Sequence, residues 1–279
     1  MTVDRRLLIV NADDYGLTRG VSQGILRAHR EGIVTSTSVL AVAPAFAASV
    51  AWLADEPGLG VGAHLAAVGE DPPLLSASEI PTLVDRRGRL AASWRQFLPR
   101  AAAGRIDPSD LAVEFSAQAE AIVDAGVSLT HLDTHQHLHL WPVVRSVVLE
   151  MAEALGVALR VTRSAARSPV GVVVRRLSRT LEAECGRRGI PFPAAAAGLD
   201  EAGALDRSTL VRTIRRLAAA PGRSAEVGSH PGEAGDPDRH RYRWDYRWEE
   251  ELAALTSPLA RQAVDDGGFM LGTYAELAS

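Results

Sequence analysis

Lysine is missing from this 279-residue chain, and all 30 of its cationic side chains are arginine. That absence excludes Schiff-base chemistry, a P-loop and a lysine general base, because each needs an amine. There is one cysteine, Cys185, so neither an internal disulfide nor a thiolate zinc site can form within the chain. Cys185 stands in a polar, arginine-rich stretch with no motif around it and reads as a spectator. No apolar run approaches the ~20 residues a membrane span requires. Met1-Thr2-Val3-Asp4-Arg5-Arg6 lacks the apolar core of a signal peptide, and a cytoplasmic protein is the expectation. The formal net charge of -4 gives no basic footprint for nucleic acid.

What is present is an apolar chain, 47% hydrophobic, of a length that suits a single α/β barrel. Leu7 to Val10 is a continuous apolar run, as in a buried parallel strand, and it ends in the polar turn Asn11-Ala12-Asp13-Asp14-Tyr15-Gly16. The pattern predicts a helix from about Val21 to Arg30, stopped by Gly32, then a strand over Ile33 to Val42. A helix over Ala45 to Ala54 and a strand over Leu59 to Leu65, with His64 near its end, follow. The region 71–105 is irregular, with a short helix near Ser93 to Ala103. Asp107-Pro108 is an N-cap with proline at the first helical position, and its helix runs to about Asp124.

Further along, Leu129 to Leu132 is a strand, Pro142 opens a helix that ends at Gly156, and Val157 to Val161 is the next strand. Residues 164–206 read as a less regular insertion over the active face. It holds an arginine-rich helix around Val172 to Arg187 and an alanine-rich loop from Pro193 to Gly198. Helices over Arg207 to Ala219 and Trp248 to Leu255, and strands over Ala225 to Gly228 and Phe269 to Leu271, complete the chain. Alternating strands and helices predict a parallel α/β architecture, and with neither an internal repeat nor a low-complexity linker the chain reads as one domain over 1–279.

Four polar clusters each follow a predicted strand: Asp13-Asp14, His64, Asp133 to His139, and His230. Barrel strand ends converge on one face, so these clusters can share a site. Alternation along an extended backbone aims Asp13 and Asp14 differently, so one can bind a metal while the other serves as a base. The plain alternative is a capped strand-end turn. Thr130-His131-Leu132-Asp133-Thr134-His135-Gln136-His137-Leu138-His139 puts four histidines in one extended stretch, where every second side chain shares a face. Neutral imidazole is the commonest protein metal ligand, and histidines that are not ligands would orient the others. Arg241 to Trp248 interleaves arginine with aromatics. It fits sugar stacking or plain helix packing better than nucleic acid, given the acidic chain and the following Glu249-Glu250-Glu251.

Asn11 to Gly16, Gly32-Ile33-Val34-Thr35-Ser36-Thr37, His64, the Thr130 to His139 stretch and His230-Pro231-Gly232 together resemble the YdjC-like carbohydrate deacetylases. These include chitooligosaccharide deacetylases and hopanoid-associated deacetylases. The resemblance runs from Leu7 to Tyr274. It implies a distorted TIM-like (β/α) barrel of mostly parallel strands, hydrolysis of the acetamide on an acetylated amino sugar, and a divalent metal, Mg2+ or Zn2+, held by Asp14, His64 and His135. It further implies Asp13 as base and His230 as acid, while Asp133, His137 and His139 would support ligands or substrate. Rival readings are another metal-dependent hydrolase, such as a phosphoesterase on the same barrel, and a non-catalytic sugar-binding protein. The sequence leaves the oligomeric state open, a homodimer included.

Overall fold

The structure is a computed structural model describing residues 6–278; the reading of Met1 to Arg5 lies outside the described residues. The strands are β1 (Arg6–Tyr15), β2 (Ser36–Val39), β3 (Gly60–Leu65), β4 (Leu129–Thr134), β5 (Ala158–Leu159), β6 (Ala195–Ala197), β7 (Ser224–Ser229) and β8 (Phe269–Leu271). The helices are α1 (Arg19–Glu31), α2 (Phe46–Ser49), α3 (Trp94–Ala102), α4 (Pro108–Asp124), α5 (Pro142–Leu155), α6 (Pro169–Arg188), α7 (Arg207–Ala218), α8 (Trp248–Leu255) and α9 (Pro258–Asp266). Each long helix has its punctuation. The Thr18 hydroxyl caps α1 by accepting from Val21 N, Asp107 caps α4 ahead of Pro108, and Gly156 and Gly189 end α5 and α6 in left-handed backbone.

The strand ladder is parallel throughout, in the order β5-β4-β3-β2-β1-β7-β6, with β8 beside the start of β1. This is the predicted parallel α/β architecture. The barrel is distorted because β5 is short, and across to the β6 side the contact is Leu159 N–H donating to the Pro191 carbonyl, 2.9 Å. Leu8, Ile9 and Val10 of β1 are fully buried, which explains their unbroken apolar run: helices cover one face and the barrel interior the other.

Several element boundaries differ from the pattern. The strand predicted over Ile33 to Val42 is paired only over Ser36–Val39, and the one over Val157 to Val161 only over Ala158–Leu159. The helix predicted over Ala45 to Ala54 divides into α2 and a tighter turn, Val50–Asp55. The alanine-rich stretch at Pro193 to Gly198 is not a loop. Ala195–Ala197 pair with Ala225–Val227 of β7, since alanine's weak strand preference is overridden by a neighbour with free backbone groups.

Candidate active site

Distant strand ends meet, as the sequence predicts. Asp13 and Asp14 close β1, His64 stands near the end of β3, His135 follows β4 directly, and His230 follows β7. All five are buried, with exposures of 2 to 7%. Asp14 owes its direction to more than strand alternation. Its φ is 69° and the β1–β2 register shifts between Ala12 and Tyr15. A left-handed residue in a bulged strand turns its side chain away from that of Asp13, and aspartate tolerates that backbone better than most residues.

The histidine-rich stretch corrects the sequence reading. Its histidines do not share one strand face, because β4 stops at Thr134 and His135–Leu140 is a tight turn with positive φ at Gln136 and His137. The Thr134 hydroxyl drives the turn by accepting from His139 N at 2.8 Å. His135 is thereby left at the strand end, facing Asp14. His139 is buried against Thr134 and Thr162. His137 contacts Thr162 at 3.1 Å and lines a small cavity with Asp13, Arg160 and His230. His131 lies deeper, stacked on Tyr274 with ring centroids 3.8 Å apart.

Three donor atoms form a tight set. Asp14 Oδ1 lies 3.5 Å from His64 Nε2 and 3.4 Å from His135 Nδ1, and the two ring nitrogens are 3.4 Å apart. Asp14 Oδ1 is buried with no hydrogen-bond partner among the described residues, an arrangement that is costly unless something else satisfies it. His64 is fixed from behind, its Nδ1 donating to Asp133 Oδ1 at 2.7 Å, which presents Nε2 as a ligand. A second overlapping set, Asp13, His64 and Asp133, is less suited, because both of its carboxylates already bind Arg160. A cation therefore fits at Asp14, His64 and His135, in keeping with the donor chemistry of one carboxylate and two imidazoles.

Arg160, just beyond β5, escaped the sequence reading. Its guanidinium donates twice to Asp13, at 2.7 and 2.8 Å, pairs with Asp133 Oδ2 at 2.5 Å, and donates through Nε to Glu226 at 2.6 Å. Burial alone would push the Asp13 carboxyl up, but Arg160 and His64 override it and hold it well below the usual carboxylate range. Asp14 is also held low, with His135 and His64 outweighing burial. Burial pushes the His64 imidazole down, yet Asp133, Asp13 and Asp14 carry it up to about 9. The charge that keeps a proton on His64 is the charge a cation would meet in its place.

His230 completes the site. Its Nε2 lies 3.9 Å from Asp13 Oδ2. The aromatic stretch walls the same space: Trp244 lies 5.3 Å from the His135 ring and Tyr246 lies 4.8 Å from that of His230. Tyr242 Oη donates to Asp71 at 2.8 Å and Trp244 Nε1 to Glu70 at 2.9 Å, tying the stretch to the loop after β3. Next to the site, sharing His137 and Leu199 with it, is a cavity of about 590 Å³ lined by Trp94, Leu98, Leu138, Trp141 and α6.

Fold and site together define a barrel protein with a carboxylate–histidine centre at its strand ends. A family model described as YdjC-like protein matches residues 7–266, and the chain belongs to that family. The chitooligosaccharide deacetylase of Klebsiella pneumoniae (strain 342) is 32% identical over 274 residues, spanning 98% of this chain and 99% of that protein. The carbohydrate deacetylase of Brevibacillus brevis is 37% identical over 153 residues, 55% of this chain and 58% of that protein. A crystal structure from Enterococcus faecalis V583, described provisionally as a cellobiose-phosphate cleavage protein, superposes with a TM-score of 0.84 at 25% identity. It covers 99% of this chain and 100% of that one.

Proposed function

We propose that this chain is a hydrolase that removes the acetyl group from an acetylated amino sugar, with a divalent metal held by Asp14, His64 and His135. One observation carries the reading. Three buried donors from β1, β3 and the turn after β4 stand within 3.5 Å of one another, with Asp14 Oδ1 unsatisfied, beside an aspartate clamped by arginine. Near-full-length relatives named as chitooligosaccharide and carbohydrate deacetylases support the substrate class.

An acetamide is a poor electrophile and its amine a poor leaving group, so both ends of the bond need help. When bound, the cation supplies Lewis acidity, lowering the pKa of a water and polarising a carbonyl. Asp13 takes the proton of the attacking water. Arg160 keeps that carboxylate ionised and fixes its orientation. His230, across the gap from Asp13, gives a proton to the departing nitrogen. Asp133 holds His64 in the tautomer that leaves Nε2 free. The rest of the sugar lies against the aromatic wall and the cavity beside it, whose lining includes Trp94 and Trp141, residues suited to apolar contact with a pyranose ring. Two imidazoles and one carboxylate suit zinc and its neighbours better than magnesium.

The test is acetate release from a panel of N-acetyl sugars, with EDTA and with a series of divalent cations added back. Acetate from N-acetylglucosamine-containing substrates, abolished by EDTA and restored by a cation, is the expected result. A metal-replete chain that frees acetate from none of them contradicts the assignment.

A further inference from the structure

Glu251, on α8, has no assigned role and is fully buried. Its Oε2 accepts from the His230 backbone N–H at 2.6 Å and its Oε1 from Leu205 N at 3.3 Å. Each carboxylate oxygen serves one of those donors, which a glutamine could not do, yet two backbone bonds only partly offset the heavy desolvation cost of a buried carboxylate. The nearby His230 ring supplies a reason for the charge. His230 Nδ1 is buried and has no hydrogen-bond partner among the described residues, and it lies 3.9 Å from Glu251 Oε2. The other ring nitrogen, Nε2, lies 3.9 Å from Asp13 Oδ2. Glu251 and Asp13 thus face the ring from opposite nitrogens, and the Tyr246 ring meets it edge-on at 4.8 Å.

We infer that Glu251 is a positioning residue: its carboxylate holds a proton on His230 Nδ1, so that Nε2 is the nitrogen that meets the substrate's leaving group. The logic is that of a carboxylate behind a catalytic histidine, which fixes tautomer and ring orientation without touching substrate. A small rotation of the imidazole closes the 3.9 Å gap to a hydrogen bond. This inference rests on reading the site as a deacetylase centre with His230 as acid.

Two measurements test it in the full chain. Glu251→Gln removes the charge and keeps only one of the two oxygens that accept from backbone. In the cation-loaded enzyme it should lower kcat for acetate release about tenfold to a hundredfold with KM nearly unchanged. The same substitution should cost nothing further in a His230→Ala chain, because the two residues act as one unit. Wild-type kcat in Glu251→Gln, or an equal loss on the His230→Ala background, overturns the inference. A merely structural glutamate, which loses a backbone acceptor in either background, would cost as much in the His230→Ala chain as in the wild type. The second measurement needs no variant. NMR of the wild-type chain with 15N-labelled histidine should show a proton on His230 Nδ1, and a bare Nδ1 overturns the inference. That signal does not depend on turnover, so a chain that deacetylates nothing would sink the functional reading while this inference is still judged on its own.

Discussion

Asp13 and Asp14 are neighbours in sequence with opposite surroundings. Asp13 is paired twice with one guanidinium, while Asp14 turns an unsatisfied oxygen toward two imidazoles. The division of labour predicts separable losses. Asp13→Asn should bind a divalent cation with wild-type stoichiometry yet lose about 10²–10⁴ in kcat, the usual worth of a positioned base; full activity would remove Asp13 from that role. His135→Ala should purify without stoichiometric metal by elemental analysis, and unchanged metal content would take His135 out of the ligand set. The five residues at the strand ends were legible because each is a polar group where an apolar run stops. Arg160 was missed although a signal existed: a charge inside the apolar run Val157 to Val161 must find buried partners. Glu251 was hidden in an acidic triplet, yet Trp248, Glu251, Leu252 and Leu255 fall on one helical face, and all four are buried.

At the level of elements, strands and long helices were readable from apolar runs, caps and glycine stops, while short pieces set by tertiary contacts were not. The turn at His135–Leu140 mimics strand alternation in sequence, and only the Thr134 hydroxyl and two positive-φ residues reveal it. β6 was unreadable because its alanines pair through backbone alone. Glycine at one position is required by packing. A Cβ on Gly62 of β3 would stand 2.3 Å from the His131 ring. That ring is pinned by Tyr274 at 3.8 Å, by the Thr130 hydroxyl at 3.0 Å and by the Ser38 hydroxyl at 3.1 Å. Ser38 also donates to Asp133, so a displaced His131 disturbs the support of His64. Gly62→Ala should therefore cost about 1–3 kcal/mol, an overpacking penalty, read as a lower thermal midpoint together with weaker cation binding. An unchanged midpoint would show that the ring yields freely.

For the molecule as a whole, converging strand ends bury several ionisable groups in one place, and this makes stability depend on pH in a definite direction. Burial pushes His131 down to about 3, against the pull of Asp133, and pushes His139 well below its ordinary range. The unfolded chain takes up these protons near pH 6.5 and the folded chain does not, so the stabilisation is present above about pH 6.5 and is lost progressively as pH falls toward the folded value. The depressed carboxylates of Asp13 and Asp133 act in the same sense, but only below about pH 4, where unfolded aspartate protonates. Glu226 and Glu251, pushed up by burial, act in the opposite sense. The raw slope between pH 4.5 and 6.5 therefore mixes histidines with glutamates, and the difference between wild type and His131→Gln isolates one histidine. Denaturant melts across that window should show wild-type stability falling more steeply than that of His131→Gln, by about 1.4 kcal/mol per pH unit. Parallel curves would mean that His131 is protonated in the folded chain, and with it that the stacked, neutral ring beneath the site has been misread.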